Sequence, residues 1–100
     1  MDIDRINADI GRRLRARRRL LDMSQKEVAA RCGLTFQQIH KYESGVNRIS
    51  AAKLVLIGYA LGVPAGYFLD GFEAALDRAS GPGPRLVSVS SEDRSRQDAA

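Results

Sequence analysis

Apolar residues recur at helical spacing along the chain as far as about position 70, in short runs divided by glycine, serine and proline. Ile6, Ile10, Leu14 and Leu21 mark one face of a first helix, predicted from about Asn7 to Leu21. Arg18 falls on the same stripe. Two shorter helices follow, about 25–32 and 36–44. Val28, Cys32, Leu34, Ile39 and Tyr42 can close one small core beneath them, and Ala29 is small where they cross. Gly33 stands between them, where the chain needs positive φ to end the first of the pair. A fourth helix, about 51–61, carries the stripe Leu54, Ile57 and Leu61, with Ser50 as its N-cap and Gly62 as its stop. Pro64 suits the start of a short fifth helix, Ala65 to Leu69, closed by Asp70 and Gly71. A further turn or two of helix is possible over 72–78.

The ends of the central pair are marked in the sequence. Ser24 with Glu27, and Thr35 with Gln38, each have capping-box spacing, and Gly45 suits the position after the second helix. Two capped helices about a glycine bend are the plan of a helix-turn-helix DNA reader. The plainer alternative is an αα-hairpin in some other helical domain.

With 100 residues and 44% hydrophobic content, the chain can build one small core. Its single cysteine, Cys32, excludes an internal disulfide framework and a cysteine-based zinc site, and reads as a buried core residue. No metal or cofactor is called for. The first 22 residues are too charged for a leader, and no run reaches the ~18 apolar residues of a membrane span. A soluble cytoplasmic protein is expected. Residues 1–50 hold 11 Lys and Arg against 6 Asp and Glu, whereas 51–100 hold 5 against 6. The basic excess thus lies in the half with the paired helices, where a polyanion would dock. From Ser80 on, proline, glycine, serine and charge dominate. A disordered tail is expected over 79–100, although Arg85 to Ser90 alternates weakly like a strand.

Residues 10–70 resemble the Cro/lambdoid-repressor, or XRE-type, helix-turn-helix domain. The likeness runs from the basic first helix through Ser24-Gln25-Lys26-Glu27-Val28-Ala29 and Tyr42-Glu43-Ser44-Gly45. It ends in Ala60-Leu61-Gly62-Val63-Pro64 and Tyr67-Phe68-Leu69. It implies an all-α, compact five-helix DNA-binding domain over 6–78, with its helix-turn-helix core at 25–44, acting on operator DNA as a symmetric homodimer. Two positions depart from the pattern. Pro64 stands where relatives often carry serine, and Phe36 where many present a polar base reader.

The third helix is then the expected recognition helix. The matching positions assign base contacts to Thr35, Phe36, Gln37 and Lys41. Gln37 has the amide that pairs bidentately with adenine, Lys41 can reach guanine or a phosphate, and Phe36 can pack on a thymine methyl or else sit in the core. His40 lies farther around the helix. Relatives bind phosphate with the residue matching Gln25 and grip the backbone from the loop that holds Asn47 and Arg48. Such contacts fix register rather than sequence. Arg18 needs a partner if buried, and the resemblance supplies it as Glu43, a structural ion pair between the first and third helices. The other arginines of the first helix read mostly as a solvated surface that attracts DNA. Relatives pair through the end of the fourth helix and the fifth, which points to Val63, Tyr67 and Phe68 as a dimer interface, with core closure as the other reading of Phe68.

The function expected is a sequence-specific regulator of transcription, a repressor in a bacterium or phage. The alternative is an antitoxin that autoregulates its operon and meets a protein partner through its tail. Catalysis is not expected, because no residues stand at triad or metal-ligand spacing.

Overall fold

The computed structural model describes residues 2–81, 83 and 84. They form α1 (Ile3–Leu20), α2 (Gln25–Cys32), α3 (Phe36–Glu43), α4 (Ala51–Ala60), a 3-10 turn (Ala65–Phe68) and α5 (Phe72–Ser80). Among the described residues there is no strand, and no helix is long and apolar enough to cross a membrane. The chain divides into two units, one ending at Asp70 and the other beginning at Gly71. The fold is all-α. The expected short fifth helix takes the tighter 3-10 form. The further turns expected after it are a nine-residue helix, α5. Of the tail expected over 79–100, positions 79 and 80 close α5, and those from 85 on lie outside the described residues.

In the first unit α1 packs on α3 and the 3-10 turn, while α2 packs on α3 and α4. Leu14, Val28, Ile39, Ile57, Leu61 and Phe68 are fully buried and make the centre of the core. Burying such side chains is worth roughly 1.5–3 kcal/mol each. That is how helices of only eight residues, marginal when isolated, hold their shape here.

Helix α1 starts at Ile3 rather than Asn7, because the Asp2 carboxylate accepts the Arg5 amide at 2.8 Å and caps it. The local signal for that start is the Asp2 cap with Asp4 in the first turn, and the apolar spacing of Ile3, Ile6 and Ile10 agrees with it. At the other end Leu21 lies beyond the last helical residue and is 39% exposed. The inner stripe therefore continues from Leu14 to Arg18, not to Leu21. Both capping boxes form. Ser24 Oγ accepts the Glu27 amide at 3.0 Å while Glu27 Oε1 accepts the Ser24 amide at 3.2 Å. Gly33 (φ 70°) and Gly45 (φ 78°) take the left-handed conformation that ends α2 and α3. Cys32 is half-buried rather than buried. Its thiol faces the Val28 carbonyl at 3.2 Å, and burial pushes its pKa up. Leu34 is likewise half-buried.

Candidate nucleic-acid interface

The outer face of α3 follows from how its first turn is held. Thr35 Oγ1 accepts the Gln38 amide at 3.2 Å, and Gln38 Oε1 accepts the Thr35 amide at 2.9 Å and its hydroxyl at 3.3 Å. Thr35 and Gln38 thus satisfy each other. Ile39 and Tyr42 turn into the core. What remains outside is Phe36, Gln37, His40 and Lys41, all exposed, with Gln37 and Lys41 one turn apart on the same face and His40 farther around. The side chains of Gln37 and Lys41 make no hydrogen bond among the described residues. The Phe36 ring is 42% exposed rather than part of the core, and the Lys26 ammonium lies 5.3 Å from its centre. Thr35 is exposed too, but its hydroxyl is engaged in the cap.

The loop after α3 folds back over it, with the Val46 and Asn47 amides donating to the Lys41 carbonyl at 3.0 and 3.3 Å. Asn47 and Arg48 are exposed. Arg48 pairs with Asp4 at 3.8 Å, but both side chains are so open to water that the pair is weak and easily exchanged for another anion.

Behind this face sits a charge pair that fixes α1 to α3. Arg18 Nε donates to Glu43 Oε2 at 2.6 Å and its Nη2 donates to Oε1 at 2.9 Å, in a two-pronged contact. The third nitrogen, Nη1, donates to the Met23 carbonyl at 2.9 Å. The Arg18 side chain is 12% exposed and that of Glu43 3%. The hydrogen bond to Glu43, more than its charge, raises the pKa of Arg18 from an already basic value against the opposing effect of burial. Gln25, the first residue of α2, is half-buried and turned toward this pair. Its Nε2 donates to Glu43 Oε1 at 3.2 Å and lies 3.5 Å from His40 Nδ1.

Two more arginines of α1 do work that the charge pattern did not reveal. Arg13 donates to the carbonyls of Phe68 and Asp70 at 3.1 and 2.6 Å. Arg17 donates to the Leu61 carbonyl at 3.0 Å and lies 5.8 Å from the centre of the Tyr67 ring. Arg31 of α2 donates to the Ala60 carbonyl at 3.2 Å. All three satisfy carbonyls at the ends of α4 and the 3-10 turn, where the backbone has no helical partner left. They are structural clasps rather than a free basic surface.

The apolar positions that the resemblance assigns to a two-fold contact separate. Tyr67 is 46% exposed and Val63 half-buried. Phe68 is wholly buried. Its ring closes the core and meets Tyr67 edge-on at 5.3 Å, so it offers no surface for a contact between copies. Val55, Leu56 and Tyr59 on α4 are 58%, 46% and 82% exposed, and were not singled out from the sequence. The signal was there. Helix α4 is apolar nearly all round, which a helix buried on one side alone does not require.

The helix-turn-helix family matches over residues 14–68. A protein of Sinorhizobium medicae, named as an HTH-type transcriptional regulator, is 43% identical over 86 residues. The match takes in 86% of this chain and 60% of that protein. A transcriptional regulator in the ATPase CF(0) region of Rhodospirillum rubrum is 46% identical, over 83% of this chain and 77% of its own length. The chain thus spans only about 60% of the length of the Sinorhizobium relative. Among solved structures, the restriction-modification controller protein C.AhdI of Aeromonas hydrophila shares the fold. Its TM-score is 0.65 at 24% identity, over 68% of this chain and 99% of that one.

Proposed function

The chain belongs to the helix-turn-helix family, and from that membership we propose that it is a DNA-binding repressor of transcription. It acts in the cytoplasm on a palindromic operator, as a homodimer, with α3 in the major groove. The observation that carries this reading is the exposed row Phe36, Gln37 and Lys41 on a helix whose first-turn polar residues, Thr35 and Gln38, already satisfy each other. Side chains in that state are free to exchange water for base edges. Gln37 pairs with adenine, Lys41 reaches guanine or a phosphate, Phe36 covers a thymine methyl, and Thr35 stands at the groove edge. Gln25, Asn47 and Arg48 hold the phosphates on either side of α3. The relatives' names as transcriptional regulators support the same reading.

Tyr67 and Val63, with Val55, Leu56 and Tyr59 beside them in sequence on α4, supply apolar surface for a two-fold contact. A second copy would set two recognition helices about 34 Å apart, one turn of duplex. The test is selection of bound duplexes from fragmented genomic DNA, followed by titration across salt. A palindromic site bound ~10³-fold or more above random duplex is expected. Equal, weak binding of all duplexes with a steep salt dependence would contradict sequence reading and leave only electrostatic attraction.

A further inference from the structure

One polar notch beside α3 is not explained by base reading. It has a volume of about 260 Å³ and is lined by Arg15 and Arg18 of α1, Gln25 of α2, and His40, Glu43 and Ser44 at the end of α3. Two guanidinium groups face one carboxylate there, so the notch keeps a positive charge even with the imidazole neutral. Arg18 spends its donors on Glu43 and Met23, whereas Arg15 is exposed. Gln25 begins α2, where the helix end adds partial positive charge.

His40 sits at the mouth of this notch, exposed, with its Nδ1 3.5 Å from Gln25 Nε2. A neutral imidazole with its proton on Nε2 accepts from the amide at that nitrogen. A protonated one cannot, because both ring nitrogens then donate. Protonation therefore releases the Gln25 amide from His40 and adds a second net positive charge to the notch. We propose that His40 is a ligand for a backbone phosphate of bound DNA, completing with Gln25 and Arg15 an anion subsite whose strength follows the charge on the imidazole. This rests on the DNA-binding reading above and adds to it a residue and a pH dependence. The charged groups that face His40 are Arg15 and Arg18 from α1 and Glu43 from its own helix, while α2 contributes the uncharged Gln25. Histidine is the side chain whose charge ordinarily changes between about pH 5 and 8, and His40 is the only histidine of the chain.

The test is titration of the full chain against a mixed-sequence duplex at low salt, at pH 8 and pH 5.5, with wild type, His40→Gln and His40→Lys. Wild type is expected to bind about three- to tenfold tighter at pH 5.5, the range of one charge-assisted contact at a water-exposed site. Its salt slope is expected to steepen by about 0.9, the value of one more neutralised phosphate. His40→Gln is expected to hold the weak value at both pH values, and His40→Lys the tight one. A pH response in His40→Gln equal to wild type, or His40→Lys no tighter than His40→Gln at pH 8, would overturn the subsite while leaving DNA binding intact. No binding by wild type at either pH would overturn the DNA-binding reading, and the subsite with it.

Discussion

Replacing Arg18 by alanine is expected to lower the unfolding free energy by about 3–5 kcal/mol, out of the 5–15 kcal/mol typical of a small domain. The loss comes from what is left behind more than from what is removed. Glu43, 3% exposed in the intact protein, keeps only the Gln25 amide as a hydrogen-bond partner, and the Met23 carbonyl loses its donor. A buried carboxylate stripped of its cation bears its full desolvation cost. The double replacement Arg18→Met with Glu43→Leu removes both charges and is expected to recover most of the stability, since an apolar pair of similar volume costs little in place of a buried ion pair. Urea unfolding of the three proteins measures this directly. Arg18→Ala as stable as wild type would show that the pair does not hold α1 to α3.

The second large effect is expected at Gly11. An alanine there would gain about 1 kcal/mol in helix propensity. Its Cβ, however, would fall onto the Tyr42 carbonyl oxygen and within 2.8 Å of the Glu43 carbonyl oxygen. Backbone oxygens cannot step aside as the tip of a side chain can, so α1 and α3 must part. The clash outweighs the propensity gain, and Gly11→Ala is expected to destabilise by about 1–3 kcal/mol. At about 4–8 °C per kcal/mol for a domain of this size, the melting temperature falls by roughly 4–24 °C. Gly66, where an added Cβ meets nothing within 4 Å, is the control. An unchanged melt is expected for Gly66→Ala, and a melt of Gly11→Ala at or above wild type would show that the helices do not meet as closely as described.

Much of this framework is legible in the sequence because it rests on local signals. The capping residues Ser24, Thr35 and Ser50 each bond within three positions of themselves, so spacing alone places α2, α3 and α4 to within a residue. The exposed row on α3 is legible for a related reason: once Ile39 and Tyr42 define the inner face, helical geometry assigns Gln37 and Lys41 to the outer one. What the sequence hides depends on long-range partners. Arg13 and Arg17 sit in a run of six arginines within eight residues, and only the return of the chain at Leu61 and Phe68 shows that two of them clasp carbonyls. The close approach at Gly11 and the complete burial of Phe68 also arise from packing between distant segments. The notch at His40 draws on three helices at once, so periodicity along any one of them could not reveal it.

The reading of bases by α3 is tested most directly by binding of wild type and Gln37→Ala to the selected operator and its full set of single base-pair variants. If Gln37 contacts a base, the alanine protein loses discrimination, about 1–3 kcal/mol, at one position in each half-site and keeps it elsewhere. A uniform loss across all variants, or an unchanged profile, would mean that α3 does not read the sequence through this side chain.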